Sequence, residues 1–333
     1  MSDKTITHPV TKIRPLSTGQ NDCHDENGNI VNCAGSGQDA EFSSGIKWPD
    51  PRFETNGETV TDLLTGLIWS KNSNPAGFPM LWEESLDFID SLNSQNFAGR
   101  NDWRMPNRKE LHSLISFNEN KPAIAAPNPF GKIFLAWYWT STSYAGSLKH
   151  AWRVQLEGGR MFFGAKTEYS LLWPVCGESS NLALTGQKAN YDQKKRDNQH
   201  GMEWPKHRFM DEGETVADAL TGLRWMKKAD LCGAVSWKEA LEKVAELNAG
   251  DSKNNWRMPN IRELESLIDA SESYPALSDK HPFTDTGDVY WSSTSSSFEY
   301  DWAMAIYLDK GAVGVGFKTG DPFLVWPVAD IKD

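Results

Sequence analysis

The sequence lacks any uninterrupted apolar run of the roughly 18 residues that a membrane-spanning helix requires. Residues 1–8 also lack the basic, apolar and small-residue regions of a secretory signal peptide. Two expectations stay open: the protein remains in the cytoplasm, or the chain is a mature exported form with a new start methionine. With 39% hydrophobic and 24% charged residues, the composition is typical of globular domains.

Basic residues are too few and too scattered for a surface that binds nucleic acid. Lysine and arginine together number 34 against 45 acidic residues, which gives a net charge of −11. Nucleic-acid binding requires a clustered basic face. The main basic cluster, Lys194, Lys195 and Arg196, lies in a polar stretch that we interpret as a solvated linker. We therefore expect no nucleic-acid partner.

Cysteine is scarce, with four residues in the chain. Cys23 and Cys33 flank a polar loop of suitable length for a local disulfide, and this pairing would imply an oxidising compartment. Cys176 and Cys232 are the other two, and a bridge between them that joins the two halves of the chain is the alternative. Four cysteines allow three pairings, so we favour Cys23 with Cys33 and leave the second bridge open.

Recognisable metal and nucleophile patterns are also missing. The seven histidines show no zinc-ligand spacing, and no histidine is placed consistently near the repeated Tyr-Trp-x-Ser-Thr serines. Asp22, Asp25, Asn27 and Asn29 carry oxygen ligands of the kind that calcium prefers, but they lack the full loop spacing and a closing glutamate. We favour an Asx-rich turn, with calcium as the alternative, and expect no catalytic residues and no required cofactor.

Tryptophan is abundant, with fifteen residues, and it reveals an internal repeat. Residues 58–69 recur as residues 214–225, and Trp-Arg-Met-Pro-Asn occurs at 103–107 and again at 256–260. Trp137 has no counterpart. The predicted pairs, in chain order, are Trp48 with Trp204, Trp69 with Trp225, Trp82 with Trp237, Trp103 with Trp256, Trp139 with Trp291, Trp152 with Trp302, and Trp173 with Trp326.

Two copies of about 150 residues are too long and too few for a solenoid, so the repeat predicts two globular domains. The openings of the two copies also match weakly, as Thr-Gly-Gln at 18–20 and 185–187. We predict an N-terminal extension with the Cys23/Cys33 loop over 1–40, a first domain over 41–177, a linker over 178–200 and a second domain over 201–330.

Each copy reads as one strand, two helices and a group of antiparallel strands, which is an α+β layout. The second helix starts at a capping box formed by Asn107 with Glu110 in one copy and by Asn260 with Glu263 in the other. Glycines at 158–159 indicate a hairpin between two of the later strands. We expect Arg104 and Arg257, just before this helix, to form a structural salt bridge or to clamp backbone carbonyls, in preference to a catalytic role.

Four motifs of the first copy recur in the second: Leu64 to Trp69, Asp102 to Pro106, Tyr138 to Thr142 and Trp173 to Val175. Together they resemble the domain at the C-terminal end of the Legionella collagen-like adhesin. More distantly, Arg-Met-Pro-Asn-x-x-Glu is similar to a stretch of the sulfatase-modifying, formylglycine-generating family. The resemblance implies two tandem C-type-lectin-like domains, each with two helices and a small, mostly antiparallel sheet, and a role in adhesion. Asn255 stands where the first copy has Asp102.

We therefore expect a non-catalytic, bacterial, exported module that binds carbohydrate or protein through loops that differ between the copies. An enzyme with a cryptic site in one repeat and a structural spacer of a surface protein are the alternatives. Oligomeric state stays open. The candidate ligand-binding residues are Trp137, Tyr144, Lys149, His150 and Arg153 in the first copy, and Phe298, Glu299, Tyr300 and Asp301 in the second.

Overall fold

The computed structural model describes residues 12–188, 200–250 and 255–331. The basic cluster Lys194, Lys195 and Arg196 lies outside the described residues. The described chain is an α+β protein in two repeated halves with small, mostly antiparallel sheets, so the predicted class and tandem organisation are confirmed. None of its helices is long and apolar enough to cross a membrane. The C-type-lectin-like assignment stays a prediction.

The first half begins with three short elements and continues with the first repeat. A single 3-10 turn, Phe97–Gly99, follows the longest helix of this half. The elements are β1 (Cys23–His24), β2 (Ile30–Val31), α1 (Asp39–Phe42), β3 (Phe53–Asn56), β4 (Thr59–Asp62), β5 (Ile68–Ser70), α2 (Trp82–Ser94), α3 (Arg108–Ser113), β6 (Trp137–Tyr144), β7 (Ser147–Gln155), β8 (Met161–Ala165) and β9 (Val175–Cys176).

The second repeat follows the same order of elements. These are β10 (Phe209–Asp211), β11 (Thr215–Asp218), β12 (Leu223–Met226), α4 (Trp237–Gly250), α5 (Ile261–Ser266), β13 (Val289–Ser295), β14 (Trp302–Tyr307), β15 (Ala312–Phe317) and β16 (Val328–Asp330).

The repeated Leu-Thr-Gly-Leu-x-Trp motif forms a turn around a buried carboxylate. Asp62 accepts hydrogen bonds from the Leu64 N–H and the Thr65 hydroxyl, while Gly66 takes a left-handed conformation with φ of 78°. Arg52 donates two hydrogen bonds to the same carboxylate, at 3.0 and 2.9 Å. The second repeat builds this turn from Arg208, Asp218, Leu220, Thr221 and Gly222.

The Trp-Arg-Met-Pro-Asn motif starts a short helix in each repeat. The Asn107 side chain accepts from the Glu110 N–H at 3.0 Å, and the Glu110 carboxylate accepts from the Asn107 N–H at 2.9 Å. Arg104 donates to both oxygens of this carboxylate, at 2.6 and 2.7 Å. The capping box and the structural role of the arginine are confirmed, and Arg257, Asn260 and Glu263 repeat them.

The central strands of the two repeats join into one six-stranded sheet, in the order β13-β14-β15-β8-β7-β6. The two halves meet where Met161 of β8 pairs antiparallel with Val313 of β15. Each repeat adds a four-stranded sheet, β3-β4-β5-β9 in the first and β10-β11-β12-β16 in the second. The repeats therefore share backbone pairing and not only a covalent connection. We call the β8–β15 boundary the seam.

The strand register corrects the alignment of the two repeats. Trp139 of β6 lies opposite Arg153 of β7, and the equivalent Trp291 of β13 lies opposite Ala305 of β14. Arg153 and Ala305 are therefore equivalent, which shifts the alignment of β7 with β14 by two residues relative to the tryptophan pattern.

The predicted equivalence of Trp152 and Trp302 is consequently wrong. Trp152 corresponds to Met304, and Trp302 corresponds to His150. Side chains two positions apart share one face of a strand, so a sequence match cannot distinguish these two registers. Trp302 thus joins Trp137 and Trp152 as a tryptophan that the repeat does not preserve.

The preserved tryptophans form the cores, as expected for large apolar side chains. Trp48 and Trp204 are half-buried beneath arginines, with the Arg52 and Arg208 guanidinium carbons 4.3 and 4.5 Å from the ring centroids. The buried pairs are Trp69 with Trp225, Trp82 with Trp237, Trp103 with Trp256, Trp139 with Trp291, and Trp173 with Trp326.

The disulfide between Cys23 and Cys33 is present, with 5.3 Å between the Cα atoms, so this pairing is confirmed. The alternative bridge between Cys176 and Cys232 is wrong, since both thiols are free. Cys176 is enclosed in the apolar core of the first repeat, whereas Cys232 is exposed on the second.

The two Thr-Gly-Gln segments, which we call the crossing straps (17–21 and 184–188), each reach the opposite repeat. The Gln20 side chain binds both backbone groups of Ser295, accepting from its N–H at 3.0 Å and donating to its carbonyl at 2.9 Å. Reciprocally, the Gln187 side chain accepts from the Ser143 N–H at 2.9 Å. Residues 184–188 of the predicted linker therefore pack against the first repeat.

Candidate ligand-binding grooves

A groove on the first repeat contains the predicted stacking residue Trp137. Its cavity volume is about 440 Å³, and Trp137 is half-buried at its side. Phe78, Phe134 and Tyr169 line the same groove with exposed fractions of 60%, 48% and 65%. Large apolar side chains clustered at the surface mark interaction sites. We call this the Trp137 groove, and its polar lining includes Asn74, Gln155 and Ser170.

Arg153, another predicted ligand residue, lies over the Trp137 ring. Its guanidinium carbon is 5.1 Å from the ring centroid, and the guanidinium forms an ion pair with Glu168 at 2.8 Å. A cation above an aromatic face is attracted by the ring quadrupole, so Arg153 fixes the orientation of the ring. The structure thus brings Trp137 and Arg153 together.

The remaining predicted residues of the first repeat lie on strands and not in a variable loop. Tyr144 ends β6, and Lys149 and His150 lie on β7. Tyr144 is buried, with its ring stacked on Phe163 at 3.9 Å between centroids. Lys149 is exposed and His150 is half-buried. The expected loop is wrong here, because a tight turn joins the strands and the Tyr144 ring faces Phe163 instead of solvent.

In the second repeat, Phe298 and Glu299 line a smaller groove beside the seam, with a cavity volume of about 230 Å³. Trp302 of the same repeat and Arg160 of the first repeat line it as well. Phe298 is held beneath Lys121 of the first repeat, whose ammonium lies 4.9 Å from the ring centroid. We call this the seam groove.

Tyr300 and Asp301 lie in a segment that packs over a buried lysine, Lys318. The Tyr300 ring stacks on the His24 imidazole of the disulfide hairpin, with centroids 4.1 Å apart and planes 5° from parallel. The ammonium of Lys318 donates to the carbonyl oxygens of His24, Asp25 and Tyr300 at 3.2, 3.1 and 2.8 Å. The Lys318 N–H in turn donates to the Asp301 carbonyl.

Sequence reasoning missed this lysine, although a signal for it exists. Lys166 and Lys318 stand in equivalent Gly-x-Lys-Thr segments. Each ammonium lies over a repeated tryptophan, 3.9 Å from the Trp82 centroid and 4.1 Å from the Trp237 centroid. Burial lowers the pKa of Lys318 to about 7. Lys318 therefore ties the disulfide hairpin of the N-terminal segment to the second repeat.

Residues 58–176 and 214–329 each match the family described as the Lcl C-terminal domain. The chain belongs to the Lcl C-terminal domain family. No curated protein matches the chain. The two Lcl C-terminal domain regions contain Trp137 and Trp302, whereas the crossing straps and the disulfide hairpin lie outside both regions.

The polar turn at residues 25–29 precedes the first Lcl C-terminal domain region and is held by hydrogen bonds to its own aspartate. The Asp25 carboxylate accepts from the Asn27 N–H at 2.9 Å and from the Asn29 N–H and side-chain amide at 2.8 and 3.0 Å. The favoured Asx turn is confirmed. Across the described ranges, no group of three or more histidine, cysteine, aspartate or glutamate side chains is placed to hold a metal ion.

A buried ionic cluster joins the two Lcl C-terminal domain regions at α3 and α5. His112 Nδ1 lies 2.7 Å from a Glu265 carboxylate oxygen, and these residues occupy the same place in the two repeats. Burial acts to raise the pKa of Glu265, but His112 and Arg262 outweigh it and hold this pKa at about 2. Arg262 also donates to the carbonyls of His112 and Ile115, at 2.7 and 2.9 Å. The cluster serves the contact between repeats.

Proposed function

We propose that the chain is a non-catalytic adhesion module that binds carbohydrate at the Trp137 groove. Membership of the Lcl C-terminal domain family supports a surface or adhesion-type module. The observation that carries the ligand class is the exposed aromatic cluster of Phe78, Phe134 and Tyr169 around Trp137.

Carbohydrate fits this groove because a pyranose ring presents an apolar C–H face and a rim of hydroxyls. The aromatic rings supply surfaces for the apolar face. The half-buried Gln155 supplies an amide to the same groove, and such groups pair with sugar hydroxyls, while Asn74 and Ser170 contribute buried side chains to its lining. A protein ligand is the alternative, and it would contact the aromatic rings without the selectivity for hydroxyl configuration that a sugar site has.

The placement of perturbed ionisable groups supports a binding function over an enzymatic one. Active-site groups with shifted pKa values usually line clefts. Here burial raises the pKa of Asp39 to about 6, while its carboxylate accepts a hydrogen bond from Thr294 at 2.6 Å beneath the surface. Lys318 is likewise buried in contacts that join segments of the fold. Glu265 lines a small cavity of about 70 Å³ together with Lys109 and Arg262, and its carboxylate is already engaged by His112 at 2.7 Å.

The disulfide supports export. Such bonds persist in oxidising environments and are rare in the cytosol. The Cys23–Cys33 bond closes the hairpin whose backbone carbonyls bind Lys318, so the oxidised form is the one that matches this fold. We therefore place the protein at the cell surface, outside the cell or in the periplasm as part of the same proposal.

The test is binding of the purified full chain to a glycan array, with and without a calcium chelator. We expect selective, calcium-independent binding that weakens at least tenfold in Trp137→Ala and Tyr169→Ala. Tyr169 is 65% exposed, so its removal leaves the core intact. Phe42→Ala removes a ring that is 44% exposed on α1, away from the groove lining, and is the matched control. Unchanged array profiles in both groove variants would refute the proposal.

A further inference from the structure

The three tryptophans that the repeat does not preserve divide into two kinds. Trp152 is fully buried and belongs to the core. Trp137 and Trp302 are half-buried, and each lines a groove. A ring that the shared scaffold does not require, yet that reaches the surface beside a cavity, points to a role in binding. The seam groove beside Trp302 is therefore a candidate binding site, as the Trp137 groove is.

In the first repeat, two aromatic side chains fill the position that corresponds to the seam groove. By the strand register, Ser296 corresponds to Tyr144 and Val315 corresponds to Phe163. The Tyr144 and Phe163 rings stack at 3.9 Å and occupy the position. The smaller Ser296 and Val315 line an open space beside Trp302. One scaffold position is thus closed in one repeat and open in the other.

Both repeats are needed to build the seam groove. The Ser297 carbonyl accepts from the Asn120 side-chain amide at 2.7 Å, and the Ser297 hydroxyl donates to the Glu119 carbonyl at 2.7 Å. Gly158 has φ of 79°, and a Cβ there would lie 3.0 Å from the Phe298 Cβ. The first repeat thus supplies both the anchor of the Phe298 loop and the glycine that allows its close approach.

The chemistry of the groove matches one uncharged sugar ring. Trp302 supplies an aromatic surface, while Arg160 and Glu299 place a guanidinium and a carboxylate at the same cavity. Arg160 is oriented by a hydrogen bond of 2.6 Å to the Gln155 side chain. The two opposite charges leave little net charge, which disfavours a sulfated or acidic sugar. The volume of about 230 Å³ is below the roughly 300–1,000 Å³ of sites for drug-sized ligands, so a single ring fits best.

We propose that the seam groove is a second binding site, which takes one neutral pyranose unit and exists only when both repeats are packed together. The inference rests on the proposed function for its ligand class, but the two grooves share no lining residue. They are linked through Gln155, which lines the Trp137 groove and accepts the hydrogen bond from Arg160.

The experiment follows the indole N–H signals of the full chain by two-dimensional NMR during titration with neutral methyl pyranosides of glucose, galactose, mannose and N-acetylglucosamine. Signals of Trp137 and Trp302 are assigned with Trp137→Phe and Trp302→Phe. We expect a saturable shift of the Trp302 signal by at least one sugar. Arg160→Ala should weaken the affinity about tenfold, as expected for loss of a charged hydrogen bond.

The closing variant is Ser296→Tyr combined with Val315→Phe, which installs the pair that already packs in the first repeat. It should abolish the Trp302 shift and leave the Trp137 response unchanged. Arg160→Lys keeps the charge but not the planar fork of the guanidinium, and it does not refill the groove. It should also weaken the binding of the sugar that shifts the Trp302 signal.

The outcomes separate the two proposals. Sugar shifts at Trp302 support the seam site, and shifts confined to Trp137 refute it. Shifts at neither indole also refute the seam site, whereas the glycan array decides the Trp137 site. A Trp302 shift that persists in the closing variant also overturns the seam proposal, because binding would then occur outside the groove.

Discussion

Removal of one side chain of a crossing strap tests whether the repeats depend on each other for stability. Gln20 is 6% exposed and binds both the N–H and the carbonyl of Ser295, which lies in the opposite repeat and is itself buried. In Gln20→Ala these two backbone groups lose their partner, and so does the Phe117 carbonyl of the first repeat, to which the same side-chain amide donates at 3.3 Å. An unsatisfied buried polar group costs about 1–3 kcal/mol, so we expect a loss of roughly 2–5 kcal/mol in the free energy of unfolding.

The assay is urea denaturation of the full chain, followed by tryptophan fluorescence and near-ultraviolet circular dichroism. Asn21→Ala is the matched control, because this neighbouring residue is exposed and its described contact is made by its backbone N–H. The control should change stability by no more than about 0.5 kcal/mol. Amide exchange should accelerate at Ser295 in Gln20→Ala. Equal stabilities of the two variants, or protection of the Ser295 amide that does not change, would show that the strap contact does not stabilise the fold.

Three further predictions concern two buried ionisable side chains and the disulfide. Asp39→Asn should raise the free energy of unfolding by up to about 3 kcal/mol at neutral pH, because burial raises the pKa of the Asp39 carboxyl from 3.8 to about 6. Urea unfolding at a series of pH values should show this gain fading as the pH drops from about 6 to 3.8. Lys318→Met should flatten the pH dependence of stability. The pKa of Lys318 is lowered from 10.5 to about 7, so the wild-type protein gains stability as the pH rises from 7 to 10.5 and the variant does not. Parallel curves of stability against pH for the two proteins would contradict this. Replacing Cys23 and Cys33 by alanine should cost about 3 kcal/mol, measured by thermal unfolding, with dithiothreitol-treated wild type expected to match.

Local patterns predicted the parts of the fold that depend on neighbouring residues. The Asn107–Glu110 capping box and the Cys23–Cys33 bond each join residues close in sequence, so spacing and residue type were sufficient. The tandem organisation was also visible, because the same buried tryptophans are needed in both cores.

Features that depend on distant pairing could not be predicted in the same way. The match of Trp152 with Trp302 failed, since a shift of two residues keeps the same strand face and only the pairing partners of β7 and β14 reveal the register. The Thr-Gly-Gln match at 18–20 and 185–187 was visible, but its reach to the opposite repeat was not.

The candidate site was predicted in part for the same reason. Trp137 and Arg153 were brought together as neighbours on adjacent strands, and Phe298 and Glu299 share a groove. Tyr144, by contrast, became a core residue because Phe163, far along the chain, stacks on it. Whether a ring on a strand is exposed depends on such partners, which no local pattern identifies.

The contact between His112 and Glu265 has a consequence for how such a chain can diverge. The two residues occupy one repeat position and touch each other across the boundary. In a symmetric pair of identical subunits this position would face its own copy, as imidazole against imidazole or carboxylate against carboxylate. Covalent duplication frees each side to change alone, so a complementary acid and base can meet where identical chains would bring only like groups together. The same freedom lets Tyr144 close one position that Ser296 leaves open.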